Sequence, residues 1–383
     1  MAFGSGRGDD REHGEVEYVQ FGGPRKRRRG GRLPQLALAC LVIAAAVIIV
    51  GQSLRGNAPV TAPTPKPSAL PPVSVLNVGH RLLGVRAGWE LFGLDQADVV
   101  AIQFARGYVI RTPLPPPEGS GPVSFLVGPQ AAIVRPIGKA PGYLVPDGGR
   151  AQPLTGALTT GDLLLPGPGP SQEWAVDGIS STLSLVTSAG RMTSVHIALP
   201  ASGWAVQSAM PDGRGGVLIS RVTGAEYDVT PDSLLRVGAT LVAVGPKAWL
   251  GIRCHASTCH NVVINPTTHT WRILPGRVLP LVAKPLQSVP GAVAPNGSAA
   301  AVLVASGSER MALDLINLSS GTAARIPIPV AQNSSNQTLA WSPDSKWLFV
   351  LSVDGKLFAV NARSHQVESL GVPLPRLSQL AMG

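Results

Sequence analysis

Three segments of this chain repeat one order of parts, and that repeat limits the fold more than any other feature of its 383 residues. The last copy is WSPDSKWLFVLSVDGKLFAVNARSHQVESLG, residues 341–371. It reads as a turn at Ser342-Pro343-Asp344, a strand over 347–352, a tight turn at Asp354-Gly355, a strand over 356–361, a turn, and a strand over 366–370. An Asp-Gly pair between two apolar runs is a hairpin signal. Residues 210–231 and 293–328 follow the same order, so a Pro-Asp/Asn mark recurs at Pro211, Pro295 and Pro343, with Pro246 dividing the longer interval. A second mark, Asn-x-x-Thr/Ser-His/Gly, covers Asn265 to His269, Asn317 to Gly321 and Asn361 to His365. It follows the Pro mark by half a repeat, where a turn between third and fourth strands belongs.

A unit of ~40–45 residues with four short strands has the spacing of a β-propeller blade. Carried upstream, the spacing puts blade starts near Gly128-Pro129 and Gly169-Pro170, and the earliest near Val85. The expectation is an all-β β-propeller over residues 75–383 with seven blades, or six if the weak first copies merge. SVLNVG, 74–79, is expected to supply an N-terminal strand that completes the last blade. The 44 glycines and 36 prolines agree, because both residue types penalise helix interiors.

The motifs Trp341-Ser342-Pro343-Asp344 and Asn-x-x-Thr/Ser-Gly/His resemble those of the WD40-like and quinoprotein-like β-propellers found outside actinobacterial membranes. The resemblance covers most of residues 75–383. It implies an extracytoplasmic propeller, held at the membrane, and says little about function. The chain lacks the Gly-His…Trp-Asp pair of standard WD40 repeats. Only Asn265 to Trp271 comes near the tryptophan-docking pattern of quinoprotein dehydrogenases, and its Trp is too close, which weakens a quinone-cofactor reading.

The first 74 residues read differently. From Leu36 to Val50 no side chain is polar except the Cys40 thiol. With its flanks, the segment 33–54 reaches the ~20 residues that span a bilayer core. Arg25, Lys26, Arg27, Arg28, Arg29 and Arg32 precede it, whereas only Arg55 and Lys66 closely follow. The positive-inside rule then puts the N-terminus in the cytoplasm and the C-terminal bulk outside, in a single-pass protein of the cell membrane. The expected organisation is a disordered basic cytoplasmic tail over 1–32, a transmembrane helix over 33–54, a Pro-rich linker over 55–74 and the propeller over 75–383. A cleaved signal peptide fits less well, since Pro59 follows the Gly56-Asn57-Ala58 site. A lipoprotein is disfavoured by the ten apolar residues after Cys40, and a buried core helix by the charged and proline-rich flanks.

GIRCHASTCHNVV, 251–263, holds two of the three cysteines. Strands over 248–253 and 260–265 would place Cys254 and Cys259 at facing ends of a hairpin, which suits a disulfide outside the membrane. Two other readings stand beside it. Cys254, His255, Cys259 and His260 have the ligand types of a zinc site, but neighbours in a strand point to opposite faces. Cys-x4-Cys-His is a stretched relative of the haem-attachment motif.

No nucleophile elbow, His-Glu-x-x-His or phosphate loop occurs. His80, His196, His255, His260, His269 and His365 are scattered, several of them in expected turns. Asp212, Asp232, Asp344 and Asp354 sit in turn motifs, where carboxylates cap backbone. Neither a catalytic residue nor a metal or cofactor is assigned. The net charge of +10 is densest in residues 24–32, beside the apolar run, which argues against nucleic acid as a partner. The sequence points to a binding, scaffold or sensing module of the cell envelope with a protein, peptide or glycan partner outside the membrane. The alternative is a membrane-tethered propeller enzyme, lactonase-like or quinoprotein-like.

Overall fold

A computed structural model of the chain describes residues 71–383, except 116–122, 128–130, 137–141, 155–162, 170–171, 178–181, 188–191, 200–205, 222–224, 277–278, 280–290, 306–309 and 332–336. The expected tail, the span 33–54 and most of the linker lie outside the described residues. Among those described, no helix is long and apolar enough to cross a membrane.

The described residues form an all-β arrangement of the β-propeller kind, in six sheets. Five sheets have four or five antiparallel strands. They cover 74–113 with 379–382, then 123–153, 163–198, 206–237 and 339–369. The sixth has eight strands, over 240–331. It consists of two four-stranded runs, joined where Thr240–Val244 pairs in parallel with Gly291–Val293. Each run has the strand order of the separate sheets, with its first strand innermost.

Alternation along the strands explains how the sheets stack. Every residue of Trp347–Leu351 is buried. Successive side chains point to opposite faces. Trp347, Phe349 and Leu351 accordingly pack toward the first sheet, while Leu348 and Val350 pack toward 291–331. Seven apolar clusters lie between successive units. Phe92 meets Phe125, Ile133 meets Ala175, and Trp174 shares a cluster with Ile219. Leu218 packs with Trp249, Leu250 with Val302, and Leu315 with Leu348. The seventh cluster closes the circuit from the last sheet to the first, where the Phe104 and Phe349 rings lie 5.0 Å apart.

Both sequence marks fall where the repeat requires. The Pro marks lie at or beside the turn from first to second strand, and the Asn marks between third and fourth. In each Asn turn, the side-chain Oδ1 accepts the N–H groups two and three residues on. The N–H four residues on donates to the Asn carbonyl, and that fourth residue has positive φ. Gly321 meets this need freely, whereas His269 and His365 hold φ of 54° and 60°.

Ring closure differs from the expectation. Ser74–Asn77 does form a strand, but it pairs with Tyr108–Pro113 at the outer edge of the first sheet. The C-terminal Gln379–Met382 instead supplies that sheet's innermost strand, against Glu90–Leu94. After the outer strand Ser74–Asn77, the first sheet therefore resumes at its second strand from the centre, near residue 90 rather than Val85. Of the upstream marks, Gly128, Pro129 and Pro170 lie outside the described residues, and Gly169 follows the innermost strand Leu163–Pro166, so it belongs to a first turn rather than a blade start.

Candidate functional site

The most polar buried constellation among the described residues lies at the seam between the sheet of 206–237 and the run 240–273. Its base is the turn after Val206–Pro211. The Asp212 Oδ1 accepts the N–H of Arg214 at 2.6 Å and of Gly216 at 2.8 Å. Gly213 and Gly215 have φ of 84° and 94°. At Gly213 a Cβ would come within 2.7 Å of the Gly245 carbonyl carbon, so the close approach of the two units requires glycine there.

This turn aims the Arg214 guanidinium at two carboxylates. It lies 3.0 Å from Asp228 Oδ2 and 3.3 Å from Asp212 Oδ2. His269, from the next unit, approaches Asp228 Oδ2 with its Nε2 at 3.1 Å. Trp249 fills the space between them. Its Nε1 donates to the Asp212 carbonyl at 3.0 Å, and its ring centroid is 5.7 Å from that of His269. Asp212 and Asp228 are fully buried. Burial raises the Asp212 pKa above its ordinary value, and the Asp228 charge adds to the rise against the opposing backbone N–H groups and Arg214. Among the described residues, no group donates a hydrogen bond to Asp212 Oδ2 or Asp228 Oδ1.

The seam thus sets two buried carboxylates against one guanidinium and one imidazole. Such an array ties blades together and can hold a proton. Among the described residues, no group of three or more His, Cys, Asp or Glu could hold a metal ion. The structure brings together two of the residues singled out in sequence, Asp212 and His269. It does not gather the others. Asp344 and Asp354 cap their own turns through Ser342 and Ser352, and Asp232 lies exposed in a turn. His80, His255, His260 and His365 are exposed, and His196 contacts Ser184 Oγ through Nδ1 at 2.8 Å. Sequence reasoning missed Arg214, Asp228 and Trp249. Asp228 carried one signal: its register partners Leu218 and Leu235 are both apolar.

A third carboxyl, half-buried, borders the same seam. Glu226 Oε2 accepts the Leu241 N–H at 3.0 Å. Burial raises its pKa to about 7, against the lowering effect of that hydrogen bond.

Cys254 and Cys259 form a disulfide, directly opposite in register with Cα atoms 4.0 Å apart. The hairpin is longer than expected, with strands Trp249–His255 and Thr258–Ile264, so the cysteines sit inside it rather than at strand ends. Oxidised sulfurs are neither thiolate ligands nor free for thioether attachment. The zinc and haem readings of this segment therefore do not fit the structure.

One open cleft adjoins the last sheet. The segment before Glu90 crosses the face that carries the first and third turns, and includes the 3-10 turn Leu82–Gly84. Between this strap and the turns at 344–347 and 361–363 lies a cleft of about 860 Å³.

No protein-family model and no curated protein matches the chain. Among solved structures, a functionally unknown protein from Desulfotomaculum acetoxidans is similar over 76% of this chain and 98% of its own, at 12% identity and a TM-score of 0.48. A protein from Lactobacillus plantarum is similar over 77% and 99%, at 11% identity and 0.47. TolB from Acinetobacter baumannii is similar over 77% and 82%, at 10% and 0.40. TolB is a β-propeller protein, and so are AztD and virginiamycin B lyase among the other similar structures. Likeness at this level carries no argument about function.

Proposed function

We propose that the chain is a single-pass membrane protein whose extracytoplasmic, seven-bladed propeller serves as a binding, scaffold or sensing module of the cell envelope. The count of seven takes the eight-stranded sheet as two blades, which the seven interblade clusters support. The observation that carries the anchoring is the apolar run from Leu36 to Val50 behind six basic residues. The disulfide agrees with an oxidising compartment. The seam's buried carboxylates pair with Arg214 and, across the blade boundary, with His269, which fits a role in holding a rigid scaffold together.

Carbonate washing of membranes tests the anchor, and the purified full chain tests the rest. The chain should stay in the washed membrane, and its absorbance spectrum and metal analysis should show no stoichiometric cofactor. Release by carbonate would remove the anchor. A haem, quinone or tightly held metal would move the reading to a propeller enzyme.

A further inference from the structure

The strap cleft has a charge that its turns do not need. Its rim carries Arg86 from the strap, Lys346 from the first turn of the last sheet and Arg363 from the third. Among the described residues that line it, Asp344 is the only acid, 3.6 Å from Lys346. The side chains of Arg86 and Arg363 are exposed and have no hydrogen-bond or ion-pair partner among the described residues. The matching turns of the preceding blade make the comparison. They have the same backbone hydrogen bonds but hold Ser298 where Lys346 stands and Ser319 where Arg363 stands. The third turn one blade earlier holds Thr267 there. The first-turn position is cationic also in the sheet of 206–237, as Arg214, but the third turn there holds Pro231 and Asp232; cations at both positions, with a third from a separate segment, distinguish the last blade from these others. Leu83 and Val85 give the cleft an apolar wall, and Leu83 holds a left-handed φ of 49° to form it. Unusual backbone of this kind gathers at ligand sites.

We infer that this cleft binds an oxyanion group, phosphate or carboxylate, on a ligand whose body lies against the strap. The inference rests on the reading of the domain as a binding module. Two guanidiniums offer paired N–H donors to such a group, and the ammonium adds charge at close range.

The test uses the purified full chain at low ionic strength, titrated calorimetrically with glycerol 1-phosphate and separately with succinate. The variants are Arg86→Gln with Arg363→Gln, and Arg236→Gln as a control for net charge elsewhere on the surface. These side chains are exposed, and melting curves should be unchanged. The expected result is saturable binding of at least one probe, weakened about tenfold or more in the double variant and unaltered by Arg236→Gln. Binding of glycerol 1-phosphate alone assigns a phosphate source, and binding of succinate a carboxylate source. The inference is overturned if neither probe binds, or if Arg236→Gln weakens binding as much as the double variant. The assay does not depend on which side of a membrane the domain occupies. Its failure would leave the anchoring reading intact, and the reverse also holds.

Discussion

His269 and His365 stand at the same position of the first and third Asn turns, with the same left-handed backbone, but only His269 has a buried partner. Comparing their replacements separates the seam contact from the backbone cost. His269→Ala removes a hydrogen bond to a buried carboxylate and should cost about 1–3 kcal/mol. His365→Ala should stay within about 0.5 kcal/mol, as surface changes usually do. Denaturant midpoints of the two variants check this. Glu226 supplies a pH effect at the same scale. Its folded pKa, about 7, exceeds the ordinary 4.5, so the folded state holds the proton more tightly. Its favourable contribution is complete below about pH 4.5 and lost as pH rises through 7. Asp212 shifts in the same direction. Glu226→Gln keeps an acceptor for the Leu241 N–H without the charge. It should stabilise the protein by up to ~3 kcal/mol at pH 8 and hardly at all at pH 4. Equal effects of the substitution at both pH values would refute the assignment.

At the scale of the element, the turns were legible in the sequence and the innermost strands were not. Asn265, Asn317 and Asn361 act through bonds to residues two to four places on, so local spacing reveals them. The disulfide was legible for the same reason, because Cys254 and Cys259 face each other across one hairpin. Gly291–Val293 and Leu339–Trp341 are only three residues long, too short for a period to show. Both pair with the second strand of their own blade, and Gly291–Val293 pairs also with Thr240–Val244 of the preceding one. The seam was hidden likewise, since Asp228 and His269 are 41 residues apart. For the hairpin, replacing both cysteines by serine removes a crosslink over a six-residue loop. The chain-entropy relation gives a loss of about 2 kcal/mol. Thermal unfolding should show a lower midpoint with the transition still cooperative, and intact mass after alkylation should show both thiols only once reductant is added.

At the scale of the whole molecule, closure joins the two ends of the described chain. Gln379–Met382 lies inside the first sheet and Ser74–Asn77 outside it. The sequence marked a repeat and a closing strand but not which end closes the ring. Both terminal segments are short and mix polar with apolar residues, SVLN and QLAM, so neither composition says which of them lies inside. The proposed topology puts this closed domain outside the membrane and the basic segment on the cytoplasmic side. Lys346 and Lys356 are 74% and 70% exposed on the domain, and Lys26 lies in the basic run. Intact cells would be treated with a small membrane-impermeant amine reagent, and the labelled lysines mapped by mass spectrometry. Labelling of Lys346 and Lys356 with Lys26 protected until lysis is the expected result. Protection of all three in intact cells, or labelling of Lys26 alone, would contradict it.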